Sequence, residues 1–538
     1  MIHRILLSVI LLYTLARAND FQCEENLRQF EGKVIKSINI ERKNVFENGE
    51  ADLPFYYRWA NSLHIKTRKS VIEGELLFEV GQPLDVEKAV ESARNIRLRM
   101  FIGEVIITGS PNGDNGVDIT VTTHDNWTTK AAVFLETAGD SYEYGASVAE
   151  DNLLGYGRIV QLTGILSDDD DGYTVFFNDD RVGRTRWSGS FLYSRFQLSS
   201  TILFSANRPQ YSLDVPYGIY AIFGRTDGTT RLFSGGEEFF RYNRLLNNID
   251  FESVYSIGRE KRLNFYALYN YEDYDYSEYY DNTALNDILI PSDEKRSYLS
   301  LGMGGALIKY DLVRYLDEAG TPEDLTLGIT AKVIIGRSIP EFGADFIGTR
   351  TIMSSNFLAR AFDPVFIKGA DLVEWWYREG RSERIRHLSE LMFYYKTAET
   401  QVFAVRAFTD FAWRERASYQ TILGGSNGLR GYSSHELEGN RLALSNMEYR
   451  FYTPLEIFTV RIGGALFFDI GDVWRNGETI RFDNLKSDVG IGLRFGLTKS
   501  STSRVLRLDI ARALTEDNYN ISLGTGMVFS LGSKFGHE

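Results

Sequence analysis

The sequence predicts a mainly β fold: a transmembrane antiparallel β-barrel of about sixteen strands, preceded by one small α/β module. Three observations carry this prediction. Apolar and polar residues alternate with period two in short segments that recur to the end of the chain. No segment offers the ~20 consecutive apolar residues that a membrane helix needs, so a membrane-spanning form has to be a closed barrel. The composition agrees, with 48 Gly, 31 Tyr and 35 Phe against 10 Pro.

At the amino end, Met1 to Ala18 starts with basic His3 and Arg4, continues through an apolar stretch from Ile5 to Leu15, and ends in Ala16-Arg17-Ala18. This is the pattern of a secretory signal peptide, and it places the start of the mature chain near Asn19. Cys23 follows Phe21 and Gln22, too bulky a pair for lipoprotein processing. As the single cysteine, it also excludes an intramolecular disulfide framework. The net charge of −14 argues against neutralising nucleic-acid phosphates. Two acidic runs, Asp168 to Asp171 and Glu272 to Asp281, read as solvated loops.

Residues 30–125 form the α/β module. Val34 to Ile40 alternates as a strand, and Arg68 to Leu77 and Asp85 to Leu98 read as helices. Asp85 is placed to cap the second helix, with Glu87 and Glu91 favouring its amino-terminal dipole. Two strands follow, Phe101 to Thr108 and Gly116 to Thr123, joined by the turn Ser110-Pro111-Asn112-Gly113.

Residues 130–538 form the barrel, at about 25 residues per strand and connection. In Ala465 to Gly471, Leu466, Phe468 and Ile470 share one face, and Ala465, Phe467, Asp469 and Gly471 the other. Ile491, Leu493, Phe495 and Leu497 oppose Gly490, Gly492, Arg494 and Gly496. Leu506, Leu508 and Ile510 oppose Arg507 and Asp509. Tyr519 to Leu531 reads as one final strand, with Tyr519, Ile521, Leu523, Met527, Phe529 and Leu531 outward. Glu448, Arg450, Arg494, Arg507 and Asp509 are therefore expected to face the lumen.

Four motifs then resemble one superfamily, the outer-membrane assembly and secretion proteins typified by BamA, TamA and the two-partner-secretion transporters. Leu429-Arg430-Gly431-Tyr432, directly after the glycine-rich run Gly424 to Gly428, is similar to the family loop that folds back into the lumen. Phe467-x-Asp469-x-Gly471 resembles the strand that receives this loop, and Asn446 to Arg450 lies on the strand directly after it. Glu150 to Gly157 resembles the turn after the second barrel strand. Charge balance supports pairing Arg430 with Asp469, because an arginine buried without a partner is costly.

The module resembles a single POTRA domain, through His64 to Thr67, Leu76-Leu77-Phe78-x-x-Gly81 and Arg97 to Arg99. The resemblance implies a bacterial outer-membrane location with the POTRA domain in the periplasm. It also implies insertion or translocation of unfolded outer-membrane or secreted client proteins, with outer-membrane lipid and accessory lipoproteins as further partners. Clients would add a strand along a sheet edge, with Val34 to Ile40 and the helix beside it as candidates. The chain departs from the family in having one such domain, and in continuing past its last strand, so that a terminal aromatic signal falls on Phe529 or Phe535. A passive pore or surface antigen without a client is the alternative. No enzyme activity, cofactor, metal or nucleic-acid partner is expected: His3, His64, His124, His387, His435 and His537 lack metal-ligand spacing, and no Gly-x-Ser-x-Gly nucleophile elbow is anticipated.

Overall fold

A computed structural model describes residues 26–46, 55–138, 141–167, 170–279, 283–500, 505–516 and 518–529. The signal peptide, Cys23, Asp168, Asp281, Leu531 and Phe535 lie outside the described residues.

The amino-terminal module is a three-stranded sheet covered by helices. Strand β1 (Val34–Lys43) pairs in parallel with β3 (Gly116–Asp125), which pairs antiparallel with β2 (Ile102–Pro111), giving the order β1-β3-β2. Three helices, α1 (Phe55–Leu63), α2 (Lys69–Glu75) and α3 (Val86–Arg97), connect β1 to β2. The first of these had no counterpart in the sequence reading. Asp85 caps α3 by accepting from the Lys88 N–H at 3.2 Å. Ile35, Ile72, Ala89, Ile96, Ile107, Val117, Ile119 and Val121 form the core. Alternation along β1–β3 and the 3.6-residue spacing along α3 send these side chains to one layer.

The rest of the described chain closes into an antiparallel barrel of twenty strands, not the sixteen expected. The reason lies in six early strands of only eight to ten residues: β4 (Thr129–Ala138), β5 (Ser141–Glu150), β6 (Arg158–Ser167), β7 (Gly172–Asp179), β8 (Ser188–Phe196) and β9 (Ser199–Arg208). Strands this short, joined by tight turns, use fewer residues than the assumed ~25 per strand and connection.

Longer strands follow: β10 (Tyr217–Ser234), β11 (Glu237–Ile257), β12 (Lys261–Glu278), β13 (Glu294–Val313), β14 (Glu323–Ser338), β15 (Gly348–Phe362), β16 (Val365–Arg378), β17 (Arg381–Ala398) and β18 (Gln401–Trp413). At about 3.3 Å per residue, β11 runs on the order of 70 Å, far more than a hydrocarbon core requires. Because β10 pairs with β9 only over Ile219–Gly228, its surplus rises on the side away from the module. Here the expected acidic loop is corrected: Glu272 to Glu278 belong to β12, where Tyr274 stacks on Tyr276 with ring centres 5.9 Å apart. Alternation of tyrosine with acid suits a wall with one wet face.

Between β18 and the next barrel strand, a long loop carries a small hairpin of β19 (Thr421–Leu423) and β20 (Leu437–Gly439). The barrel resumes with β21 (Arg441–Ile457), β22 (Val460–Trp474), β23 (Lys486–Leu497), β24 (Val505–Ala513) and β25 (Tyr519–Thr525), and β25 pairs with β4 to close it. Outward residues such as Leu466, Ile491, Leu493 and Ile510 are exposed, as a lipid-facing band must be.

A second correction concerns the carboxyl end. The last strand stops at Thr525 rather than running to Leu531, because Gly526 adopts a left-handed φ of +78°. The chain then turns inward. Phe529 is buried in the lumen against Tyr394, Phe366 and Met392, and Met527 packs beside Ala319 and Tyr452. Neither faces lipid.

The module docks on one end of the barrel through the turns between strands. Arg68 donates to the Gly155 and Leu154 carbonyls, and Asn152 donates to the Thr67 hydroxyl at 2.9 Å. Along α3, Glu91 accepts from the Leu213 N–H at 2.8 Å, and Arg97 grips Asp324 through two hydrogen bonds of 3.0 and 2.9 Å. Arg94 lies 3.4 Å over the Tyr310 ring.

At the centre of this interface, buried Glu75 meets Arg99 of the module at 2.7 Å and Arg181 and Arg186 of the β7–β8 turn at 2.6 and 3.1 Å. Burial alone would raise the Glu75 carboxyl, but the three guanidinium groups hold it below the usual carboxylate range.

Candidate functional site: the lumen loop and its receiving strands

The loop after β18 enters the barrel with its tip buried. Gly428, at φ +127°, passes so close to Leu444 that a Cβ would overlap that side chain. Leu429 and Tyr432 are fully buried with Leu423, Leu442, Leu444, Val473 and Ala513. These contacts supply the apolar part of the seat, and the polar part surrounds Arg430.

Arg430 forks onto Asp469, Nε to Oδ2 at 2.7 Å and Nη2 to Oδ1 at 3.0 Å, the bidentate geometry that makes such pairs strong. Its Nη1 reaches Glu448 at 3.2 Å and stands 3.5 Å from Asp509. The guanidinium lies 3.4 Å over the Phe467 ring, so Phe467 of the receiving strand supplies a floor and Asp469 a clamp. Gly471, next on the same face, lies against the Leu444 backbone and side chain. The inward charges interlock. Arg450 and Arg494 both donate to Glu448, at 3.2 and 2.8 Å. Arg494 and Arg507 both donate to Asp509, at 2.6 and 2.8 Å. Four arginines thus face three carboxylates, and Glu448 and Asp509 are each shared by three of them, which limits the cost of burying charge.

Several partners were given no role by the sequence reading, although Asn446 stood in one of its motifs. Asn446 donates to both Asp469 and the Gly428 carbonyl at 2.8 Å. Asp488, directly across from Asp469 in the ladder, accepts from the Gly431 N–H at 3.0 Å. Asn520 of β25 donates to the Arg430 and Tyr432 carbonyls at 3.1 and 2.7 Å, tying the loop to the last strand. Extending the alternation of β23 back by two residues would have flagged Asp488. Asp317 had no signal at all: it lies in the turn after β13 and meets Arg450 at 2.9 Å. The Phe529 carbonyl also accepts from Arg450, at 2.8 Å, so the inturned tail joins the same network.

One further expectation needs correction. Gly424-Gly425-Ser426-Asn427-Gly428 does spell Gly-x-Ser-x-Gly. It forms a short 3-10 turn within the lumen loop, however, not the strand-to-helix elbow that exposes a nucleophile. His435, in the same loop, is stacked on Phe233 with ring centres 4.0 Å apart.

The close fit yields a prediction. A Cβ at Gly431 would stand 2.6 Å from the Asp488 Cβ and 2.8 Å from the Ala513 nitrogen. Gly431→Ala should therefore lift the loop off β23 and β24 and cost roughly 1–3 kcal/mol, as overpacking of a tight site does. Its thermal midpoint in detergent, compared with wild type, measures this directly; an unchanged midpoint would show that the loop has slack.

Comparison with known proteins adds to this geometry. Residues 416–535 match the model of the Omp85 superfamily domain. No curated protein gives a significant sequence match. Similar solved structures include BamA from Haemophilus ducreyi lacking POTRA domains 1–3, at 12% identity and a TM-score of 0.42, covering 92% of this chain and 85% of that one. CdiB from Escherichia coli is 11% identical, with a TM-score of 0.47 and coverage of 92% and 77%. CdiB from Acinetobacter baumannii is 12% identical, with a TM-score of 0.46 and coverage of 92% and 74%. The matched stretch contains the lumen loop, the strand that receives Arg430 and the barrel strands β21 to β25, and it is similar to the Omp85 superfamily domain.

Proposed function

We propose that this protein inserts or translocates unfolded client chains at the bacterial outer membrane, working as a strand-pairing machine without covalent chemistry. The observation that carries the reading is the seam. β25 and β4 pair through only three residues, Ile521↔Thr137, Ser522↔Glu136 and Leu523↔Leu135, among the described residues. The next shortest junction, β24 with β25, has seven pairs. A barely paired edge is a template for an incoming strand. The amino-terminal module acts on the periplasmic side as a POTRA-like domain; its sheet order places β1 at one edge, where Gly81 and Gln82 take the backbone of Ile35 and the strand beyond Ser37 can accept a client. Helix α3 and the end of α2, through Gly74 and Glu75, are committed to the barrel turns, which leaves β1 as the client-facing strand.

The test is a lock. Leu135→Cys with Leu523→Cys, opposite each other in register, should form a disulfide across the seam. In cells depleted of the native protein, the oxidised pair should fail to restore client levels in the outer membrane and medium, and reduction should restore them. Several barrels falling together identifies an insertase, and loss of one secreted protein a dedicated exporter. A locked barrel that works normally would remove the seam from the mechanism and favour the passive pore or surface antigen.

A further inference from the structure

The outward face of the long strands carries an acid and a base where a lipid-facing wall calls for apolar groups. Trp375 and Tyr377 are exposed at the outer end of β16, and Leu391, Phe393 and Tyr395 are exposed towards the periplasmic end of β17. The ladder sets Trp375 opposite Ile385, Val373 opposite His387, Asp371 opposite Ser389, and Gly369 opposite Leu391. Period two therefore puts Asp371 and His387 on this same outward face. Asp371 is six residues from Tyr377 and six from Val365, which pairs with Tyr395. Six residues are about 15 Å along the barrel axis for a strand tilted by ~40°, so the pair lies in the middle of the apolar band.

His387 Nε2 donates to Asp371 Oδ2 at 3.1 Å, yet 45% of the aspartate side chain and 34% of the histidine side chain remain exposed. The hydrogen-bonded row through the pair reads Gly305, Ala331, Ser355, Asp371, Ser389 and Thr409 across β13 to β18. Three hydroxyls thus join the acid and base on the outward face. Over the β13–β16 end of this row, a hollow of about 490 Å³ opens between Met303 and Met353. Hydrocarbon offers none of these groups a hydrogen bond, so leaving the row against lipid is costly.

We infer that this wall is the interface of a homodimer, covered by a second copy of this chain across a twofold axis beside the pair. An acid and a base side by side are self-complementary: the twofold sets Asp371 of one copy against the partner's His387, and the reverse. A partner of other chemistry would have to supply its own matching charges. The hydroxyls of Ser355, Ser389 and Thr409 gain hydrogen bonds across the contact, and the small residues of the row let two convex walls approach. Six strands, β18 and β21 to β25, lie between this wall and β4, so the seam stays clear of the contact.

The test uses the full-length protein with Cys23→Ser, reconstituted at high dilution in phosphatidylethanolamine–phosphatidylglycerol bilayers. Ser389→Cys, opposite Asp371, should crosslink to its own copy on oxidation, whereas Leu162→Cys, exposed on β6, should not. Energy transfer between separately labelled copies, diluted with lipid, gives the dissociation constant. Asp371→Leu with His387→Leu suits a lipid-facing wall and should keep the barrel folded, judged by its migration in unheated gels. It should raise the dissociation constant by at least about tenfold, the worth of one charge-assisted hydrogen bond. Should the double variant not fold, the Ser389→Cys crosslink decides alone. Self-crosslinking no greater than at Leu162→Cys, or a folded double variant that associates as tightly as the parent, overturns the dimer. So does a Ser389→Cys adduct in native membranes with a different protein in place of its own copy.

Discussion

Arg430→Ala is expected to unseat the lumen loop and to cost the barrel about 3–5 kcal/mol, the range for breaking a buried ion pair by removing one partner. Asp469 would lose both bonds of its fork, and Glu448 and Asp509 one neighbouring positive charge each. Phe467 would lose the group stacked on it. The readout is the temperature at which the folded barrel converts to the slower-migrating unfolded band in detergent gels, together with protease access to the Gly424–Tyr432 segment. Arg430→Lys should fall between wild type and Ala, since an ammonium keeps the charge but cannot fork onto Asp469. Exchanging the pair, Arg430→Asp with Asp469→Arg, should not rescue, because the new aspartate would face Glu448 and Asp509. If Arg430→Ala melts at the wild-type temperature with a protected loop, the apolar seat around Leu429 and Tyr432 holds the loop alone.

Glu75→Gln should have the second largest effect, on the joint between module and barrel rather than on either part. The substitution leaves Arg99, Arg181 and Arg186 converging on a neutral amide, with Asp180 still opposite Arg99 at 2.6 Å. Removing one member of a buried ionic cluster costs roughly 3–5 kcal/mol, here drawn from docking. Spin labels at Asp114→Cys and Arg184→Cys, in a Cys23→Ser background, should report a single distance in the parent and a broad distribution in Glu75→Gln. The same labels test the pH dependence. The Glu75 carboxyl is held below its ordinary range in the folded protein, so its contribution is complete above that range and lost only as pH falls through the depressed value. Docking should therefore be equal at neutral pH and at the ordinary carboxylate pKa, and loosen only in stronger acid. A distribution that broadens before the ordinary range is reached would assign the joint to other contacts, such as Arg97 with Asp324.

By itself the sequence determined which residues of the last strands point inward, because a period of two leaves no freedom: once Leu466, Phe468 and Ile470 face lipid, Phe467 and Asp469 must face the lumen. It also carried the pairing of Arg430 with Asp469, since two motifs about forty residues apart needed each other's charge. Only the tertiary structure decided what depends on closure and distance. Strand number was one such quantity, since alternation fixes a face but not where a strand ends, and the short strands β4–β9 fit more turns into the chain than an average length allows. The tail was another: Phe529 continues the outward alternation perfectly, yet a single left-handed glycine at 526 rotates it into the lumen beside Arg450. Asp317, Asp488 and Asn520 join the Arg430 network, and Glu75 its three arginines, from positions far apart in sequence, because barrel curvature and docking bring charges together that no local pattern links.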